Sequence, residues 1–171
     1  MAATISCGIA ILLVTLFGVS AECPDGFTKH GTSCYTILHA KVDWSQATVV
    51  CKEINSHLLE IDDAAEESYI HGFLSLHWRA YDPADFWVGG NDILEEGSWE
   101  WASGKAMTYT NWDDGQPDNG GDNDYNEHCM EISHGDAWKW NDQECDEERN
   151  VICEIPITDV IGGGGNPGPI G

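Results

Sequence analysis

Apolar positions recur with helical spacing in the first half of the chain and fall into short runs in the second. In DWSQATVVCKEINSH (43–57), Trp44, Ala47, Val50, Cys51 and Ile54 lie three or four residues apart. That spacing predicts an amphipathic helix, with Asp43 as its N-cap. A second helix is predicted to open at Asp62/Asp63, where acids suit the helix N-terminus. It carries Tyr69, Ile70, Phe73 and Leu74 on one face. Residues 22–38, punctuated by Asp25-Gly26 and His30-Gly31, read as a hairpin, and residues 58–61 as a short strand. After Pro83, the runs FWVGGND, SWEWASG, YTNW, HCMEI, AWKWND and NVICEI read as strands separated by turns. Helices followed by many short strands predict an α+β domain.

Residues 111–127 interrupt this pattern. They form a polar loop with no period, and a loop of that length in a compact domain is usually functional or disordered. Residues 156–171, with consecutive glycines at 162–165, read as a flexible tail. At the other end, residues 1–21 carry no charged side chain, and the apolar run from Ile9 to Val19 leads into Val19-Ser20-Ala21. This is the pattern of a secretory signal peptide cleaved after Ala21. Its apolar core is short for a membrane span of ~20 residues, and no other segment could cross a bilayer. The remaining domain is residues 22–155.

Secretion changes the reading of the cysteines. Of 7 in the chain, Cys7 belongs to the leader, leaving Cys23, Cys34, Cys51, Cys129, Cys145 and Cys153. An even set in a secreted chain points to disulfides, whose pairing sequence alone leaves open. No CxxC pair or zinc-finger spacing is present.

Charge narrows the partners. The chain has 30 acids against 7 Lys and Arg, for a net charge of −23. Nucleic acid and anionic membrane surfaces are poor partners for such a surface, and cations are natural ones. The acids concentrate between Asp92 and Glu148, where only Lys105 and Lys139 oppose them.

The polar loop offers Gln116, Asp118, Asn119, Asp122, Asn123, Asp124, Asn126 and Glu127, and Asn141 and Asp142 follow. Calcium takes six to eight oxygen ligands, so this inventory suits it. Zinc and copper favour His or Cys, and the cysteines are committed. An EF-hand is excluded. Counted from Asp122, the position that requires Gly is Glu127, and the twelfth residue, Ser133, is not an acid.

Several motifs, in order, now resemble the C-type lectin-like domain across Cys23 to Glu154. Trp87-Val88-Gly89-Gly90 matches its buried core strand, Gln116-Pro117-Asp118 its galactose-type sugar motif, and Trp140-Asn141-Asp142 its second calcium motif. Glu127, two residues before Cys129, is similar to a further ligand of that family. The resemblance implies the pairings Cys23–Cys34, Cys51–Cys153 and Cys129–Cys145. It implies one Ca²⁺ held by Gln116, Asp118, Glu127, Asn141 and Asp142, with Pro117 cis. Two vicinal sugar hydroxyls would complete the ion's shell. Gln offers both carbonyl and NH₂ whereas ionised Asp only accepts, so the order around Pro117 sets the donor layout. Gln-Pro-Asp implies galactose or N-acetylgalactosamine, and Glu-Pro-Asn mannose.

The resemblance also implies an auxiliary calcium at Asp92, Glu96 and Asn119, with His128 standing where the family has an acid. Tyr125, the one aromatic between Trp112 and Trp138, is the candidate to stack on the sugar. Trp44, Trp87, Trp99 and Trp101 are expected in the core and at its edge, and Trp140 under the ligand loop. HExxH, GxSxG and phosphate-loop motifs are absent, so no enzyme is expected. The expectation is a secreted, extracellular lectin for galactose-type glycans, in innate recognition or shell matrix. The competing expectation is an acidic matrix protein for calcium carbonate mineral. A homo-oligomer would have to use the domain surface or the tail.

Overall fold

The structure, a computed structural model, describes residues 22–120 and 126–158. The leader 1–21, residues 159–171 of the tail, Asp122, Asn123, Asp124 and Tyr125 lie outside the described residues.

Both helices form where the periodicity places them. The first, α1, spans Trp44–Glu53, and the second, α2, spans Ala64–His77. Asp43 caps α1 by accepting from the Gln46 N–H at 2.7 Å. Asp63 caps α2 by accepting from the Ala65 and Glu66 N–H groups. Each cap satisfies amides that have no partner inside the helix. The buried face of α2 is Glu67, Ile70, Phe73 and Leu74, while Tyr69 packs at its margin.

The strands are β1 (Thr28–His30), β2 (Ser33–Val42), β3 (His57–Leu58), β4 (Asp85–Asn91), β5 (Glu100–Trp101), β6 (Glu127–Ser133), β7 (Trp140–Glu144) and β8 (Arg149–Pro156). They hydrogen-bond in the order β1-β2-β8-β4-β6-β7, with β3 on β8 and β5 on β4. Every pair is antiparallel except β4 with β8.

Several expected strands are shorter than their apolar runs. β3 stops at Leu58, although Leu59 and Ile61 are fully buried. SWEWASG contributes only Glu100 and Trp101. YTNW is not a strand, since Trp112 makes a single bridge to Trp140. Its aromatic rings give the reason: Tyr109 and Trp112 pack edge-on against Trp140, so side-chain packing takes the place of a backbone ladder. β7 starts late because Ala137 and Trp138 adopt φ of 54° and 68° and turn the chain. At the other end, β8 passes the expected domain boundary by one residue, and the Ile157 N–H donates to the Thr32 carbonyl at 2.8 Å.

One apolar cluster lies between α2 and the sheet and includes Ile70, Leu74, Phe86, Met130, Trp140 and Ile152. A second lies under α1 and includes Trp44, Leu58, Trp87 and Val151. Trp44, Trp87 and Trp101 are buried, and Trp99 lies at the core's margin, as expected. The disulfides are Cys23–Cys34, Cys51–Cys153 and Cys129–Cys145. Cys51–Cys153 joins α1 to β8 across a separation of 102 residues. A closure of that size contributes about 4–5 kcal/mol in the chain-entropy model. Among the described residues no helix is long and apolar enough to cross a membrane.

Gly90 tests how tightly β4 meets β6. A Cβ there would stand 3.0 Å from the Met130 Cβ and closer still to its Sδ and Cε. Met130 is fully buried, so its side chain would have to shift within a close-packed interior. Gly90→Ala is therefore expected to destabilise the fold by about 1–3 kcal/mol, read by denaturant unfolding. An unchanged midpoint would show that Met130 repacks freely.

Glu154 on β8 is 5% exposed, and its Oε2 accepts from the Glu60 N–H at 3.3 Å. Burial is the main reason its carboxyl is pushed up from 4.5 to about 7, and the neighbouring Glu66 adds to the shift. A folded-state value above the unfolded one means that the native state holds its proton more tightly. Its contribution is complete below about 4.5 and is lost as pH rises through about 7. Glu154→Gln removes that ionisation. Relative to wild type, the variant is expected to gain roughly 2–3 kcal/mol between pH 5 and pH 8. Thermal melts at the two pH values measure this, and parallel shifts would show that Glu154 ionises freely in the fold.

Candidate functional site

The site lies where β6 and β7 meet the polar segment 111–120. In the β6–β7 ladder Met130 stands opposite Asp142 and Ile132 opposite Trp140. Cys129–Cys145 links the two strands beside it. Trp140 is fully buried, with Tyr109 and Trp112 against its ring, so it forms a floor under the polar segment. Backbone bonds hold the segment down: Trp140 N–H to Asn111 O at 3.1 Å, and Asp113 N–H to Trp140 O at 2.9 Å.

A carboxylate from α2 locks this floor. Glu67 accepts from the Trp140 indole N–H at 3.0 Å and from the Asn111 side-chain amide at 3.1 Å. His71 Nε2 stands 2.6 Å from it. Burial pushes the Glu67 carboxyl up, and Asn111 and His71 pull it back. Glu67 was not anticipated. The available signal was its position, three residues before Ile70 and seven before Leu74, on the apolar face of the helix.

Asp142 is 1% exposed, yet its carboxylate is well placed. It accepts from the Asn119 N–H at 2.7 Å and from the Asp118 N–H at 3.2 Å. Asn119 in turn accepts from the Glu127 N–H at 2.8 Å, and Asp118 from the Gly120 N–H at 3.1 Å. These bonds clip the segment to both strands. As a result Asp118, Glu127 and Asp142 each place an oxygen within 4.8 Å of the others. Among the described residues no Lys, Arg or His forms an ion pair with any of them. Burial pushes the Glu127 carboxyl up, and Asp142, Asp118 and Glu144 add to the shift. The Asp142 carboxyl is also raised by burial, opposed by the two backbone amides.

The Gln116–Pro117 bond is cis. Gln116 Oε1 is buried with no hydrogen-bond partner among the described residues. An orphaned amide oxygen in the segment that also supplies Asp118 suits a hard, oxygen-seeking cation. Asn141 stands apart from this group in one respect. Its side-chain nitrogen donates to Glu131 Oε1 at 3.1 Å, leaving its carbonyl oxygen as the atom it could offer. Glu131 also accepts from Arg149 Nε at 2.6 Å.

Asp92 and Glu96 come together in a second group, and the side chain they meet is His128. Asn119, expected with them, turns its side-chain carbonyl to Glu127 instead. A register shift in β6 between Glu127 and Cys129 puts His128 in a bulge. Such a shift re-aims side chains, and here neighbouring residues serve separate groups.

Comparison with known proteins identifies the family and the fold. The family described as Lectin C-type domain matches residues 40–155. Perlucin of Haliotis laevigata is 36% identical over 143 residues, covering 81% of this chain and 88% of that protein. The galactose-specific lectin nattectin of Thalassophryne nattereri is 30% identical over 149 residues, covering 87% and 90%. The carbohydrate-recognition domain of the mouse scavenger receptor C-type lectin superposes with a TM-score of 0.70 at 31% identity, covering 79% of this chain and 98% of that one. The match to the family over most of the described domain, with the helices, mixed sheet and three disulfides in place, shows that this chain belongs to the C-type lectin domain family.

Proposed function

We propose that the chain is a secreted, calcium-dependent lectin that prefers galactose and N-acetylgalactosamine. The observation that carries this reading is the convergence of Asp118, Glu127 and Asp142 within 4.8 Å without a cationic partner among the described residues. Carboxylates so placed repel one another, and a divalent cation reverses the sign of their interaction. Gln116 Oε1 and the Asn141 carbonyl oxygen would complete the protein's ligand set. The calcium supplies a positively charged centre with room for two adjacent sugar hydroxyls. The side chains do the selecting: Gln116 can donate and accept, whereas ionised Asp118 only accepts.

The galactose preference rests on Gln116-Pro117-Asp118 and is supported by similarity to a galactose-specific lectin. Secretion is supported by the leader-like residues 1–21 and by three disulfides, which persist in oxidising compartments. The auxiliary calcium expected at Asp92, Glu96 and Asn119 is not part of this reading, because His128 changes that group's donor chemistry. Tyr125 remains the proposed stacking ring. The net charge of −23 favours a second reading, in which the acidic face binds calcium carbonate and sugar is secondary. Either reading describes a binding protein, not an enzyme. A single open sugar site binds at about millimolar strength, ~−4 kcal/mol, so useful retention needs several sites on one surface.

On immobilised galactose the protein is expected to be retained in calcium and released by EDTA. Asp118→Ala should abolish retention and weaken calcium binding at least about tenfold, since it removes a charged ligand. Calcium binding by calorimetry without retention on any sugar would reject the lectin reading in favour of the mineral one. The double variant Gln116→Glu, Asp118→Asn exchanges the donor and acceptor sides of the site. It should move retention from galactose to mannose columns, and unchanged preference would show that other contacts set specificity.

A further inference from the structure

We infer that Asp92, Glu96 and His128 form a second metal site that takes zinc in preference to calcium. The donor atoms of the three side chains lie within 4.8 Å of one another. His128 Nδ1 is 2.9 Å from Asp92 Oδ1 and 3.4 Å from Glu96 Oε2. Ligands about 2.0–2.1 Å from a tetrahedral zinc stand roughly 3.4 Å apart, so the cluster needs only small movements to close on the ion.

The donors are held before any metal arrives. The Asp92 carboxylate is fully buried; its Oδ2 accepts from the Gly97 N–H at 2.7 Å, which leaves Oδ1 directed at His128. The Asp92 N–H donates to the His128 carbonyl at 3.1 Å, fastening the end of β4 to the β6 bulge. Turns closed by Glu95 N–H to Asp92 O and Ser98 N–H to Glu95 O carry Glu96 to the same side. The His128 side chain is 28% exposed, which leaves an entrance and room for a water as fourth ligand.

Donor identity sets the selectivity. Calcium takes six to eight oxygens and gains little from an imidazole nitrogen. Zinc takes four ligands from N, O and S donors, and one imidazole with two carboxylates and a water is such a set. The Asp118, Glu127 and Asp142 group offers oxygen alone, so the two groups divide the metals between them. Zinc at His128 would pin the bulge that also presents Glu127, linking the two groups through one strand. In its absence Asp92, Glu96 and His128 hold one another by hydrogen bonding and charge.

The test uses the full chain with calcium in millimolar excess. Zinc is added by calorimetry, and cobalt(II) serves as a visible-absorption probe of nitrogen coordination. Wild type should bind one zinc that calcium does not displace. His128→Ala should lower zinc affinity at least tenfold and lose the cobalt spectrum. His128→Asp, which restores an all-oxygen set, should lose zinc preference and take up an additional calcium. Asp118→Ala should keep the zinc while losing galactose retention, so failure of the lectin reading and failure of this one are separable. Equal zinc affinity in wild type and His128→Ala, or displacement of zinc by calcium in wild type, would overturn the inference.

Discussion

Carboxylates do not gather unaided. Held within 4.8 Å, Asp118, Glu127 and Asp142 repel by about 3 kcal/mol per ionised pair at an effective dielectric near 20, and less on the solvent side. The rest of the site depends on opposing that repulsion. Backbone amides supply the nearest answer. Two N–H groups of the segment 111–120 point at Asp142, so the acid that costs most to bury also anchors the loop that brings the others. Removing the Asp142 acceptor releases the loop together with the charge.

The opposing force is rooted in the core. Glu67 reaches from α2 to the Trp140 indole and the Asn111 amide, so the loop, the strand under it and a helix share one buried carboxylate. Breaking such a network strands buried polar groups, which costs more than the bonds themselves contribute. The Cys129–Cys145 and Cys51–Cys153 bridges hold the strands around it. Loop position is thereby coupled to the packing of the domain core.

Two chemistries that are adjacent in sequence meet at the bulge in β6. Regular alternation would put Glu127 and His128 on opposite faces of a strand. Glu127 joins Asp118 and Asp142, and His128, in the register shift between Glu127 and Cys129, joins Asp92 and Glu96. One group offers oxygen alone and the other mixes nitrogen with oxygen. The two groups of side chains thus each draw a member from one strand, one residue apart in sequence.

Local physics made much of this legible from the amino acids. The spacing of Trp44, Ala47 and Cys51, with the Asp43 and Asp63 caps, specifies both helices, because helical period and capping depend only on near neighbours. The disulfide pairs and the Gln116-Pro117-Asp118 motif were recognisable by resemblance, since they recur as fixed patterns. Other features needed the tertiary structure. YTNW reads as a short aromatic run, as the neighbouring strands do, but its rings pack against Trp140 in place of a backbone ladder. Glu67 is an ordinary helical acid until Asn111 and Trp140 arrive from 44 and 73 positions away. His128 gains its acidic neighbours only when the β6 bulge meets the turn after β4. Sequence determined what each segment could form alone, and contacts between distant segments decided which side chains share a site.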